Sequence, residues 1–247
     1  DVVHVPYPNC YQCPFEKGLC DDGSCCMGTT KWIENRLFQT TTPPEEVAAI
    51  VVEAVQGEGG YVPAPKEFMV AIREICDKHG ILLIIDEVQS GMGRTGKMFA
   101  TDHYGIEADI VCIAKGIGSG LPIGACVARA DLMTWHKGAH ASTFGGNPVC
   151  IASALKTIEL LENGLTENAA VVGDYLQTGL RKLQEKYECI GDVRGLGLMV
   201  GVEFVEDNLS RKPNPTLRDK IEMECFNNGL IILGCGTSTI RWSPPLI

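Results

Sequence analysis

The sequence predicts an α/β fold built on a mostly parallel sheet with helices on both faces, followed by the start of a smaller α+β domain. Three stretches carry this expectation. Residues 82–97, LLIIDEVQSGMGRTGK, are an apolar run closing on an acid pair and then a loop with three glycines. Residues 109–124, DIVCIAKGIGSGLPIG, repeat the plan with a run that ends on Lys115. Residues 49–55, AIVVEAV, are an earlier apolar run that also ends in a glycine loop, with a helical pattern between it and the next run. Strands alternating with helices imply parallel pairing, and open α/β sheets bind ligands beyond the carboxyl ends of their strands.

Taken in order, residues 1–30 read as irregular, punctuated by Pro6, Pro8, Pro14, Gly18, Gly23 and Gly28. Residues 31–38 suit a short helix. Thr42 suits a cap, with Pro43 and Pro44 at a helix start and Glu45 three positions on. Residues 49–55 suit a buried strand. In 65–79, Phe68, Ile72, Ile75 and Cys76 share one helical face and Gly80 supplies the C-cap. Residues 99–104 suit a short helical piece, 110–114 a strand, and 123–128 a further strand, antiparallel or at the edge. Residues 134–143 read as irregular. A helix over 147–161 is expected to turn Val149, Ala152, Leu155, Ile158 and Leu161 inward. A longer one over 165–186 uses Val172, Leu176, Leu180 and Leu183. Beyond it, 194–204 alternates apolar and small residues, 215–228 suits a helix and 230–233 a strand, with Arg241 following shortly before Pro244 and Pro245.

Composition narrows the function classes. The 247 residues are 45% hydrophobic and 21% charged, an ordinary globular profile. The formal charge is -10 and no basic patch is present, which argues against nucleic acid as a partner. No apolar run approaches the roughly 20 residues that cross a bilayer, and the first eight residues have no signal-peptide pattern. A cytoplasmic protein without a membrane partner is expected. Of twelve cysteines, five fall between Cys10 and Cys26. They contain one C-x2-C step, whereas closed zinc sites usually pair two, so no metal is expected. Cys76, Cys112, Cys126, Cys150, Cys189, Cys225 and Cys235 read as small reduced hydrophobes.

The chemistry concentrates at the strand ends. A lysine closing an apolar strand, here Lys115, is a candidate amine nucleophile, or else an ammonium that snorkels to the sheet edge. Asp86 and Glu87 are adjacent on a strand and cannot share a face, so one is free for a ligand. An acid and a lysine at one sheet edge suit a cofactor with a basic ring nitrogen and an aldehyde, which is pyridoxal 5'-phosphate. Gln89 follows on the same loop. Glu53 and Glu58 bracket the Gln56–Gly57 turn. Arg241 suits a bidentate partner for a substrate carboxylate, or a surface ion pair. Residues 142–146, STFGG, precede a helix start and suit a phosphate contact.

Together IIDEVQSGMGRTG, ADIVCIAKGIGSGLPIGA and STFGGNPV resemble the class III aminotransferases, fold type I enzymes dependent on pyridoxal phosphate. VVEAVQGEGGY and IRWSPPLI are similar to further segments of that family, with Ala54 where proline is usual. The resemblance implies that Lys115 is the Schiff-base lysine and proton shuttle and that Asp86 binds the ring nitrogen. It implies that Val88 packs on the ring, that Gln89 contacts the phenolic oxygen, and that Thr143 reaches the phosphate from the partner subunit of a homodimer. Arg241 would take the substrate α-carboxylate. Glu58 would pair with Arg241 when an ω-amine reacts and swing away for 2-oxoglutarate, with Glu53 supporting that loop. Residues 1–187 would be a large cofactor-binding domain lacking its N-terminal part, and 188–247 the start of a small domain. The chain reads as an internal piece of a longer protein.

The implied reaction is transamination of an ω-amino acid such as 4-aminobutyrate, with 2-oxoglutarate as amino acceptor. Racemisation or epimerisation of an amino acid, or transamination of ornithine or acetylornithine, is the first alternative. An inactive truncated paralogue is the second.

Overall fold

The computed structural model describes residues 1–15 and 27–247. The first helical stretch runs through α1 (Gly28–Trp32), a wider π turn (Ile33–Leu37) and α2 (Phe38–Thr40). It starts earlier than the pattern over 31–38 suggests. The Thr42 start does not develop. Pro44–Glu46 makes a single 3-10 turn entered from Pro43, with no side-chain cap.

The first sheet contains β1 (Ala49–Glu53), β4 (Leu82–Asp86), β5 (Ile110–Ile113) and β6 (Ala125–Ala128), in that spatial order. The β1–β4 and β4–β5 pairs are parallel; β6 returns antiparallel at the edge. A small ribbon of β2 (Val55–Gln56) and β3 (Val62–Pro63) frames the intervening glycine loop. β1 is less buried than expected: it lies at the other edge, and Val51 is 66% exposed. Helix α3 (Lys66–His79) crosses from β3 to β4 as the periodicity requires, burying Phe68, Met69, Ile72, Ile75 and Cys76. Gly80 ends it at φ 69°, the left-handed turn that a residue without a Cβ makes without strain. These residues, with Leu83 and Ile85, form the main core. Burial pushes the Cys76 thiol up to about 11, which keeps it an unreactive apolar filler.

Asp109 pins the opposite end of the sheet from the glycine loops. Its carboxylate accepts from the Leu83 amide at 2.7 Å, from Arg73 at 2.8 Å and from Arg129 at 2.5 Å. Burial alone would raise its pKa. The amide and the two guanidinium groups outweigh that and hold it below the usual carboxylate range.

Helix α4 (Pro148–Leu160) starts on an Asn147 side chain that accepts from the Val149 amide. Only part of the expected face turns inward. Of it, Leu161 in the following turn is buried and Ile158 half-buried; Cys150 and Ala154, which were not expected there, turn inward instead, whereas Val149 and Leu155 are exposed. Ala152 is exposed as well. The helix is apolar nearly all round, so its periodicity does not select a face. Helix α5 (Thr166–Lys186) is shifted likewise. Ala169, Gly173, Gln177 and Leu180 are buried, and Val172 and Leu183 point outward. The small residues face inward because the helix passes against backbone.

The second sheet has the order β7 (Ile190–Leu196), β8 (Met199–Phe204), β10 (Thr239–Trp242), β9 (Leu233–Cys235), all antiparallel. The expected 194–204 segment is therefore a hairpin, turning at Gly197 with φ 51°. Helix α6 (Pro215–Asn227) follows. The strand expected over 230–233 begins only at Leu233, and Arg241 lies inside β10 rather than after a strand. Val200, Val202, Ile240 and Leu180 build this sheet's own core.

At Gly173 an added Cβ would lie 2.1 Å from the Gly197 carbonyl oxygen, a backbone atom that cannot rotate away. Gly173→Ala is expected to destabilise the protein by about 2 kcal/mol, despite a helix-propensity gain of up to ~1 kcal/mol. A urea midpoint equal to or above that of the parent would contradict this packing.

Candidate active site

The parallel register places the chemistry. Glu53 is paired with Asp86, and Asp86 with Cys112, so the carboxyl ends of β1, β4 and β5 finish side by side. Lys115 follows three residues after Cys112, at the start of a short 3-10 turn (Lys115–Gly118). The two adjacent acids take opposite faces, as strand geometry demands. Glu87 is fully buried and accepts from Ser90 Oγ at 2.7 Å and from both the amide and the hydroxyl of Thr101 at 2.8 Å. It anchors the glycine loop. Asp86 remains half-buried and accepts from the Val88 amide at 2.9 Å. The free acid is therefore Asp86.

A cavity of about 570 Å³ opens beside these ends, lined by Tyr61, Gln89, Met92, Arg94, Lys115 and Arg241 among others. That is the size of a small-molecule site. Among the described residues, five non-glycine residues have positive φ, and four of them line this cavity: Tyr61 (51°), Met92 (56°), Lys115 (47°) and Ser119 (45°). Each is a conformation that costs an L-residue energy, and such strain gathers where a site must be preorganised. Lys115 is exposed. Its left-handed backbone leads the chain out of the strand, and its side chain lines the cavity.

The second sheet supplies the opposite wall. Arg241 on β10 makes an ion pair with Glu58 across the gap. Gln89 donates to the same carboxylate at 3.4 Å. The hydrogen bond from Arg241 holds the Glu58 carboxyl below its usual range. Glu53 accepts from the Gly57 amide at 3.1 Å, bracing the turn, and burial lifts its pKa, with the Asp86 charge adding to the effect. The Gln89 side-chain oxygen is buried with no hydrogen-bond partner.

Thus Lys115, Gln89 and Arg241 share one cavity, with Asp86, Glu53 and Glu58 beside it. Val88 is half-buried on the loop between Asp86 and Gln89. Thr143 is not brought in: it sits on an exposed loop and does not line the cavity. The sequence reading missed Arg94. Its guanidinium donates to the carbonyls of Leu198 and Pro244, tying the glycine loop to both the β7–β8 turn and the exit of β10. The signal was an arginine between glycines in GMGRTG, a loop where a charge has to find a partner.

Among the described residues no His, Cys, Asp and Glu group suits a metal ion. Cys20, Cys25 and Cys26 of the cysteine-rich start lie outside those residues, as do Gly18 and Gly23. Among the described residues no helix is long and apolar enough to cross a membrane.

The exposed amine in the cavity and the free carboxylate beside it fit an aldehyde-bearing, basic-ring cofactor. The comparisons with known proteins agree. The family described as aminotransferase class-III matches residues 1–247. A leucine/methionine racemase from Thermococcus litoralis is 42% identical over the whole of this chain and 55% of its own length. The 4-aminobutyrate aminotransferase GabT of Escherichia coli is 40% identical over 94% of this chain and 53% of its own. Among solved structures, an amine transaminase from an uncultivated Pseudomonas species, in its PLP-bound form, superposes with a TM-score of 0.89 at 33% identity, over 98% of this chain and 56% of that one. A Bacillus anthracis aminotransferase gives 0.87 at 34% identity, over 99% of this chain. The chain spans about half the length of the curated relatives it matches.

Two tests follow from the acid pair and the ion pair. Glu87→Ala strands the Thr101 amide and is expected to cost about 2–4 kcal/mol of stability, whereas Asp86→Asn stays within about 1 kcal/mol; equal losses in thermal unfolding would contradict the assigned roles. Because the Glu58 pKa is depressed, its pairing with Arg241 is complete at neutral pH and is lost as pH falls through that lowered value. In a carboxyl-carbon NMR titration the Glu58 midpoint is expected to rise in Arg241→Ala. An unmoved midpoint would show that the pair does not form in solution.

Proposed function

The chain belongs to the class-III aminotransferases, whose fold type I architecture and pyridoxal phosphate cofactor it shares, and on that premise we propose that it transaminates an ω-amino acid such as 4-aminobutyrate, with 2-oxoglutarate as acceptor. The observation that carries this reading is the Glu58–Arg241 pair facing Lys115 across one cavity. Pyridoxal phosphate, when bound, supplies an aldehyde that takes up the substrate amine and a ring that withdraws electrons from the adjacent carbon.

The chain's residues do the rest. The Lys115 amine holds the cofactor between turnovers and moves the proton at the substrate carbon that bears the amine. The Asp86 carboxylate keeps a proton on the ring nitrogen. Val88 would pack on the ring and Gln89 would meet the phenolic oxygen. Thr143 serves the phosphate of the partner subunit in a homodimer, which accounts for its position outside this chain's own cavity. Arg241 binds a substrate carboxylate in a bidentate manner. An ω-amino acid presents its amine end without a carboxylate there, and Glu58 then neutralises Arg241. A 2-oxo acid brings its own carboxylate, and Glu58 swings clear. Glu53 keeps the backbone of the turn still. Residues 1–187 act as the cofactor-binding domain and 188–247 as part of a small domain, in a cytoplasmic enzyme.

Similarity to a racemase over the whole chain favours a second reading, proton return to the opposite face of an α-amino acid. The experiment is visible absorbance of the protein reconstituted with pyridoxal phosphate. A band absent in Lys115→Ala, bleached by 4-aminobutyrate and restored by 2-oxoglutarate, is the expected result. A band indifferent to 4-aminobutyrate, with leucine or alanine racemised instead, would replace transamination with racemisation.

A further inference from the structure

Glu58 can serve two substrates only if its carboxylate moves while its backbone does not. The turn that carries it is fixed from several sides. The Gly60 and Tyr61 amides donate back to the Gly57 carbonyl at 3.1 and 3.2 Å. The Glu58 carbonyl accepts from the Gly236 amide at 2.8 Å. The Gly60 carbonyl accepts from Arg194 Nη2 at 2.7 Å. Of these anchors only Arg194 is a side chain of the second sheet.

Arg194 sits on β7 in a nearly closed environment, its side chain 11% exposed. Nη1 bonds Glu203 at 2.6 Å and Asp192 at 3.0 Å. Nη2 bonds Gly60 and, at 3.0 Å, Thr239 Oγ1 on β10, two residues before Arg241. Glu203 is itself buried and also accepts from Gln12 at 3.0 Å. One rigid fork therefore spans both partners of the switch: the turn that bears Glu58 and the strand that bears Arg241. A lysine in its place can neutralise the acids but cannot also direct a second nitrogen to Gly60.

We infer that Arg194 is a positioning residue that sets the reach of Glu58 to Arg241, and thereby the balance between amine-ended and carboxylate-ended substrates. This rests on the proposed two-substrate reading of the site.

The test is a double-mutant cycle between Arg194→Lys and Glu58→Gln in the pyridoxal-phosphate-loaded enzyme, reading the ratio of single-turnover rates with 4-aminobutyrate and with glutamate. Each single change is expected to lower that ratio about tenfold and the double change no further, because both act through one contact. Equal slowing with both substrates, or multiplying losses, would overturn the inference. Calorimetry of glutarate binding to the cofactor-free protein gives a second readout. Glutarate competes with Glu58 for Arg241, so Arg194→Lys is expected to bind it about threefold tighter; unchanged or weaker binding would overturn the proposal. Should Arg194→Lys not fold, Gly60→Ala attacks the same contact from the loop, since its Cβ would lie 3.1 Å from Arg194 Nη2. The same fall in ratio and rise in glutarate affinity are expected, and parental values of either would overturn the inference. If the parent enzyme turns over neither 4-aminobutyrate nor glutamate, the transaminase reading fails, while the glutarate measurement still decides the role of Arg194.

Discussion

The site depends on one constraint, the parallel register of β1, β4 and β5. In a parallel ladder all carboxyl ends leave the sheet on the same side, so residues from separate segments arrive together without any contact between their loops. Glu53 beside Asp86 beside Cys112 is that constraint in residue terms. A one-residue slip of β4 would exchange the roles of Asp86 and Glu87, putting the cavity-side acid into the core and the loop anchor into solvent. The register is guarded from the far end, where Asp109 on the approach to β5 takes the Leu83 amide of β4. A buried carboxylate that is satisfied in only one alignment penalises every other one.

Much of this was legible in the sequence because it rests on local rules. An apolar run ending in a charged residue and glycines is a strand delivering a side chain to a sheet edge, and it located Lys115 and Asp86 without tertiary information. The opposite faces of Asp86 and Glu87 follow from strand alternation alone. Gly80 as the end of α3 follows from helix chemistry. The inward faces of α4 and α5 were not legible, for a definite reason. A periodicity argument needs a polar face for contrast, and Val149, Ile151 and Leu155 give α4 a second apolar face. In α5 the buried positions include Gly173, chosen for the closeness of the Gly197 backbone rather than for hydrophobicity. Close approach is a property of pairs of elements, and neither sequence segment shows it alone.

The hairpin of β7 and β8 was not legible in the sequence on similar grounds. In RGLGLMVGVEF the alternation continues through the reversal, because the turn is made by Gly197 and Leu198 without proline or asparagine. Once the hairpin is recognised, the glycines in it acquire separate reasons. Gly201 lets the Gly60 carbonyl approach, where a Cβ would stand 2.9 Å from the oxygen. Gly197 fits against the backbone of Thr95 on the glycine loop. Both are places where the second sheet touches the loops of the first.

Those contacts explain why the functional groups divide as they do between the two sheets. Lys115 and Asp86 are held by the first sheet, with short connections to rigid strands. Arg241 is held by the second, and the turn bearing Glu58 is shared, with Glu53 on one side and Arg194 and Gly236 on the other. Groups that act on the same atom in every turnover profit from a stiff common base. A group that must release its partner for one ligand and hold it for another is better placed across a seam, mostly exposed, where the ion pair is weak enough to exchange. Glu58, 73% exposed and facing an arginine only 20% exposed, has that asymmetry. On the proposed two-substrate reading, the acid would move into solvent as the carboxylate of the next ligand takes its place, so that the more enclosed arginine is never left without an anion.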